Sequence, residues 1–252
     1  MRAILTYHSI DSSGSAISVS EDVFRRHMRW LVSGTVRVMP LDVLVAWNDQ
    51  SDAVALSFDD GFLNFAAIAA PILEAHGLPA TLFISTSHVG STNAWHSSRQ
   101  GKNLPVLGLL DWDGVAAVAE RGISIGSHGR THRSLTSLSA PELNDELAGS
   151  FDDVRQHLGS SPVFFAYPFG AATLRERNEA AQIYDLAVTT EMRDVAKDED
   201  LHMLPRIDAW YFRTPGRLES FGTPAFNRYL RVRSRGRRLR ASVNRLLGQD
   251  GG

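Results

Sequence analysis

The chain has 252 residues, 43% of them hydrophobic and 21% charged, and no cysteine. This composition suits one large or two small domains with a sizeable core, and it excludes a disulfide framework, thiolate metal ligands and cysteine nucleophiles. The formal charge of −2 hides an asymmetry: from Phe221 onward there are eight arginines and one acid, Asp250, whereas the first 220 residues carry 18 basic and 27 acidic side chains.

The opening MRAILTYHSI lacks the longer apolar run and small-residue cleavage site of a secretory signal, and it reads as a first core strand over RAILTY. No stretch approaches the roughly 18–20 apolar residues of a membrane span. A cytoplasmic protein is the expectation. Ser20 is placed to cap a helix through EDVFRRHMRWLVS, with Phe24, Met28 and Leu31 on one face. TVRVM suggests a short strand, LDVLVAW a short helix and AVALSF a buried strand. FLNFAAIAAPILEAHG has helical composition, with Pro71 starting or kinking a segment and Gly77 ending it. ATLFIS is the next strand, and Thr86 to Leu110 is a polar, Gly-rich loop of the kind that often serves function.

DWDGVAAVAERG then reads as a helix, ISIGS as a strand and SHGRTHRSL as a loop. SAPE at Ser139 is a capping box opening a helix to about Leu158. VFFAY is a strand, ATLRERNEAAQIY a helix and LAVTT a strand, and a charged loop from Glu191 to Asp200 precedes MLPRIDAW. Strands separated by helices six or seven times argue for an α/β architecture with a mostly parallel sheet. Residues 1–220 read as one domain, built on a closed or distorted barrel or on an open doubly wound sheet; periodicity does not choose between them.

In such folds ligands collect at the carboxyl ends of the strands. RAILTY leads to His8, AVALSF to Asp59 and Asp60, ISIGS to His128 and His132, and VFFAY to Pro168, Phe169 and Gly170. Asp-Asp-Gly alone is an ordinary turn, and two histidines four apart arise by chance. Together they offer two imidazoles and a carboxylate to one divalent ion and leave a second carboxylate free. A divalent ion acidifies coordinated water, so that free carboxylate becomes an adequate base for hydrolysing an amide or ester.

The ordered set SFDDG, SHGRTH and FFAYPFG, with TYHSI near the start and LTSLSAPELNDEL after the histidines, resembles the polysaccharide deacetylases, carbohydrate esterase family 4 with the NodB homology domain. The resemblance covers roughly residues 3 to 208. It implies a distorted (β/α) barrel of seven strands, Asp59 as catalytic base, and Asp60, His128 and His132 as ligands of a metal, commonly zinc, with cobalt, nickel or manganese as other divalent choices. It also implies that Pro168, Phe169 and Gly170 line the substrate groove and that the Tyr167 N–H helps to hold the oxyanion.

The chain departs from that pattern. Ala166 stands where many members carry an arginine, and Arg206 in LPRID, steadied by Asp208, is expected to reach Asp59 instead. LDWDG matches a fourth motif only loosely, leaving Trp112 as a groove-lining or core aromatic. His202 and His8 are the two candidates for the general acid.

The expected reaction is metal-dependent removal of N-acetyl, or else O-acetyl, groups from an amino-sugar polymer, glycolipid or glycan precursor. A small non-polymeric amide and a catalytically impaired glycan-binding protein are the alternatives. Residues 221–252 form an Arg-rich tail in which Leu239, Val243, Leu246 and Leu247 have helical spacing. Docking to an anionic membrane face, holding an acidic polymer or nucleic acid, and covering the barrel are the roles it suggests. Nucleic acid rests on the tail alone.

Overall fold

The computed structural model describes residues 1–95 and 104–246. Parallel strands form its centre: β1 (Arg2–Tyr7), β5 (Ala53–Phe58), β6 (Thr81–Ile84), β7 (Ser124–Ser127), β8 (Phe164–Ala166), β9 (Leu186–Val188) and β10 (Ile207–Asp208). They are ordered β10-β1-β5-β6-β7-β8-β9. β2 (Ser9–Ile10) and β3 (Ser18–Val19) pair separately, and β4 (Arg37–Val38) adds to the first half of β5. A parallel bridge between Val188 and Leu204 links β9 to the segment that runs into β10, so the seven-stranded sheet curls round on itself. This is the barrel that the motifs imply.

The central strands read as apolar runs because both their faces are covered. Every residue of AVALSF in β5 is buried. The helices lie outside: α1 (Glu21–Leu31), α2 (Leu41–Ala46), α3 (Ala70–Ala75), α4 (Trp112–Glu120), α5 (Ala140–Asn144), α6 (Ser150–Leu158) and α7 (Leu174–Ala180). Ser20 caps α1 through the N–H of Val23, and Ser139 with Glu142 closes the capping box of α5.

Two expected helices carry a π turn. Phe65–Ala69 precedes α3, whose first turn contains Pro71, and Asp145–Gly149 joins α5 to α6. Such turns insert one extra residue and re-aim the side chains that follow. The ATLRERNEAAQIY helix is shorter than its sequence suggests, because regular structure ends at Ala180. β2 and β3 were not expected; two-residue strands have no readable period.

The tail forms a helix much longer than expected. α8 runs from Pro224 to Leu246, and Leu247 lies outside the described residues. Phe226 stacks on Phe212 and packs with Phe221, and all three belong to the same core as β1, with Leu230. The change of charge at residue 221 is therefore not a packing boundary. No described helix is long and apolar enough to cross a membrane.

Candidate active site

The carboxyl ends of β1, β5, β7 and β8 bring the strand-end residues to one rim. Adjacent residues of a strand point to opposite faces, so two neighbouring carboxylates need a backbone device to meet. Asp60 supplies it by adopting φ +76°, and Gly61 follows at φ +77°. The non-glycine residues with positive φ among those described are Asp60, His132 and Phe169, and all three sit at this rim. Strained backbone of this kind is held only where the surroundings over-determine it.

His128 and His132 approach Asp60 Oδ1 with their Nε2 atoms, at 3.7 and 3.4 Å. Asp60, His128 and His132 are buried, with their ligand atoms within 4.8 Å of one another. Asp60 Oδ1 makes no hydrogen bond among the described residues. A buried carboxylate oxygen without a donor is costly, and a cation among these three groups removes that cost. His128 Nδ1–H donates to Ala166 O at 2.6 Å, which leaves the Nε2 lone pair facing Asp60. Burial pushes the His128 imidazole down to about 4, so it is neutral and ligand-ready at neutral pH. Burial alone would raise the Asp60 carboxyl, but His132, His8 and His128 outweigh it and hold it below the ordinary value. The donor set fits a divalent ion such as zinc.

Asp59 lies next to this cluster, bound to the guanidinium of Arg206. Arg206 Nη1 and Nη2 donate to Asp59 Oδ1 and Oδ2 at 2.7 and 2.8 Å, and Arg206 is only 2% exposed. Its Nε donates to Thr189 O at 2.9 Å. Burial opposes the charged form of Asp59, yet Arg206, His128 and His8 together hold its carboxyl well below the usual range. His8 Nε2 stands 3.7 Å from Asp59 Oδ2 and is part-exposed.

The histidine loop is anchored from beneath. Buried Glu146, in the π turn, accepts the N–H groups of Arg130 and Thr131 at 2.7 and 3.0 Å and the Thr131 hydroxyl. Gly129 has φ +76°, and a Cβ there would lie 2.8 Å from Glu146 Oε2. Arg130 also binds Asp145 and Asp153. Above the site Trp95 stacks on His132 with centroids 4.2 Å apart, and Phe169 meets His132 edge-on at 4.8 Å.

A family model described as "Polysaccharide deacetylase" matches residues 47–185, more than half of the chain. The chain belongs to the polysaccharide deacetylase family. The chain is a hydrolase acting on carbon–nitrogen, non-peptide bonds. It is 28% identical over 212 residues to the Bacillus subtilis protein YxkH, named as a polysaccharide deacetylase, covering 81% of this chain and 70% of that one. It is 27% identical over 104 residues to the poly-beta-1,6-N-acetyl-D-glucosamine N-deacetylase of Staphylococcus epidermidis, a match covering 38% of this chain and 36% of that protein. The fold is shared with Streptococcus pyogenes deacetylase PplD in complex with acetate, at TM-score 0.69 and 22% identity, covering 82% of this chain and 91% of that one. IcaB from Ammonifex degensii gives TM-score 0.69 at 20% identity, covering 83% and 94%.

Several expected members of the deacetylase site lie elsewhere or act differently. His202 Nε2–H donates to Tyr184 O, 2.9 Å away, two residues before β9 begins and on the side opposite to its carboxyl end. It therefore sits away from the catalytic rim. The Tyr167 N–H is committed to Val188 O at 3.1 Å in the sheet, and its hydroxyl donates to His202 O, so it has no free donor for an oxyanion. Trp112 stacks flat on His157 at 4.0 Å, between α4 and α6, and the aromatic ring over the histidines is Trp95 instead. Asp208 accepts the Trp210 N–H, while Thr189 O and Ser57 Oγ hold Arg206. Pro168 is buried, Phe169 is 40% exposed over His132, and Gly170 packs against Thr190.

Glu146 and Trp95 were missed. Trp95 lies in the long Gly-rich loop already suspected of function, whereas a Glu within a helical pattern carries no sign that it faces inward. Phe169, two residues beyond Tyr167, has φ +60°, and its carbonyl accepts the Thr190 hydroxyl at 3.2 Å.

Proposed function

We propose that the protein removes N-acetyl groups from an amino-sugar glycan, with a divalent ion held by Asp60, His128 and His132. Such an ion supplies Lewis acidity, polarising the acyl carbonyl and acidifying water. Asp59 accepts the proton of the attacking water. Arg206 engages one lone pair on each carboxylate oxygen and leaves another free on each. A carboxylate held so far below its ordinary range is a weak base, which is why this arrangement calls for acidified water.

The oxygen that gains charge is received by the N–H of Phe169, the rim residue whose ring meets His132. His8, beside Asp59 and reachable from solvent, donates a proton to the departing amine. Trp95 and Phe169 offer aromatic faces to the sugar ring. An acetylated poly-β-1,6-glucosamine is the substrate class favoured by the Staphylococcus relative.

The observation that carries this reading is the unsatisfied Asp60 oxygen between two imidazoles, beside a carboxylate oriented by a buried arginine. The test is acetate release from acetylated glucosamine oligomers, before and after chelation and on adding back zinc, cobalt, nickel or manganese. Chelation and Asp59→Asn are each expected to remove at least about 10³-fold of the activity, and metal to restore it only in the unmutated protein. Turnover that resists both would overturn the reading.

A further inference from the structure

The arginine-rich end of the chain reaches a pocket beside His8 and Arg206 through one side chain. α8 buries Phe226 and Leu230 in the core, and further along it Arg237 lines a pocket with Thr6, His8, Thr190, Arg206 and Asp208. Arg237 Nη2 donates to Thr190 O at 3.2 Å, which engages one of the five N–H donors of a guanidinium. Arg233, four residues earlier, shares the ring of Tyr211 with it, the two guanidinium carbons standing 5.8 and 5.7 Å from the centroid. Arg233 also lies 5.2 Å from the Tyr229 ring.

Like charges four residues apart on a helix repel. Among the described residues neither arginine forms an ion pair with a carboxylate; aromatic faces hold them instead. Arg206 is already neutralised by Asp59. The other acid of the pocket, Asp208, accepts the Trp210 N–H and makes no ion pair with Arg237. Burial raises its carboxyl, and the charges of His8, Arg237 and Arg206 oppose that rise. Arg237 thus stands in the pocket of His8 and of Arg206, the partner of Asp59, with Asp208 as a nearby acid but no ion-paired carboxylate among the described residues.

We infer that Arg237, backed by Arg233, forms a subsite for an acidic group, phosphate or carboxylate, carried by the glycan substrate. This rests on the function proposed above. The guanidinium fork matches either group in bidentate fashion, and its place in one pocket with His8 and with Arg206, the partner of Asp59, sets the acidic group next to the reacting acetamido sugar. A lipid surface is the poorer fit, because Arg237 turns into the pocket and Arg233 lies over the Tyr211 and Tyr229 rings, while the exposed apolar residues of α8 are Val232 and Leu239, at 62% and 68%.

The test compares N-acetylglucosamine with N-acetylglucosamine 1-phosphate in binding titrations. It also compares neutral acetylated glucosamine oligomers with ones carrying a phosphate or a uronate in acetate-release assays, using the full chain loaded with zinc. The unmutated protein is expected to prefer the acidic member by about tenfold or more in Kd and in kcat/KM, which is about the selectivity of one desolvated charged contact. Arg237→Gln should bring both ratios near one, Arg237→Lys should keep part of them, and Arg228→Gln, at an exposed position of α8, should keep them whole.

Equal handling of neutral and acidic probes, or a preference that survives Arg237→Gln, overturns the subsite. If no oligomer releases acetate while the 1-phosphate still binds through Arg237, the proposed reaction fails and the subsite stands. If only anionic phospholipid vesicles, and not the phosphate probe, respond to Arg237→Gln, a membrane is the ligand and the subsite is overturned.

Discussion

Arg206 and Asp59, 147 residues apart in the chain, form a buried bidentate pair with Nη1–Oδ1 at 2.7 Å and Nη2–Oδ2 at 2.8 Å. The pair joins the segment closing the barrel to the end of β5, and it fixes the plane of the carboxylate that faces the histidine cluster. A lysine supplies the charge without the fork. Arg206→Lys is therefore expected to lower kcat by about 10²-fold or more while the protein still folds. Arg206→Ala leaves Asp59 buried and unpaired, at a stability cost of roughly 3–5 kcal/mol. Steady-state kinetics and thermal melts read both; a kcat within about twofold for the lysine variant would refute the positioning role.

His8 and His202 are separable by leaving group. A general acid matters most where the departing amine is poor, and it contributes about 10²–10⁴-fold. His8→Ala should cut turnover of the acetamide by at least about 10²-fold and spare an activated acetate ester. His202→Ala should leave the amide-to-ester ratio unchanged and lower only stability, through the lost contact with Tyr184 O. Equal effects of the two variants on the ratio would sink the assignment.

Glu146 shapes the histidine loop without reaching a ligand atom. Glu146→Ala removes the acceptor of the Arg130 and Thr131 N–H groups, each lost partner costing about 1–3 kcal/mol where burial is complete. Supports of metal ligands typically carry about 10–100-fold of metal affinity. Zinc titration by calorimetry should show weakening of that order, with Glu146→Gln milder because it keeps one acceptor. Unchanged affinity in the alanine variant would show that the loop holds its shape without Glu146.

His27 makes stability depend on pH. It is fully buried, with Nδ1 facing the Tyr7 hydroxyl at 3.0 Å and Nε2 facing Phe212 O at 3.0 Å. The neutral ring satisfies both, donating to the carbonyl and accepting from the hydroxyl. Burial pushes its value from the ordinary 6.5 down to about 4. The unfolded chain therefore binds the proton more readily, so stability is intact above about pH 6.5 and falls as pH drops toward 4. The loss by pH 4 is on the order of 3 kcal/mol at about 1.4 kcal/mol per unit. Denaturant unfolding between pH 7 and 4 should show this slope, and His27→Gln should flatten it. Identical slopes for both proteins would place the proton uptake elsewhere.

Much of the site was legible because its members follow strands. AVALSF, ISIGS and VFFAY are recognisable as buried strands from composition alone, and in a parallel sheet whatever follows them meets at one rim. That logic brought together Asp59, Asp60, His8, His128, His132 and Phe169. It failed for His202, whose ring binds Tyr184 O ahead of β9, and for the Tyr167 N–H, which the sheet ladder had already engaged. Whether a backbone donor is free depends on the neighbouring strand, and no local pattern records that.

By itself, then, the sequence determined the alternation of strand and helix, the caps at Ser20 and Ser139, and the identity of the chemical groups at the strand ends, because each follows from short-range periodicity and residue type. Tertiary structure alone decided that Arg206 grips Asp59, that Glu146 turns inward through a π turn, that Trp95 rather than Trp112 covers the histidines, and that α8 carries Arg237 to the pocket. These are contacts across tens to more than a hundred residues. They depend on how the sheet curls and how the helices pack upon it, and such geometry has no signature in the neighbours along the chain.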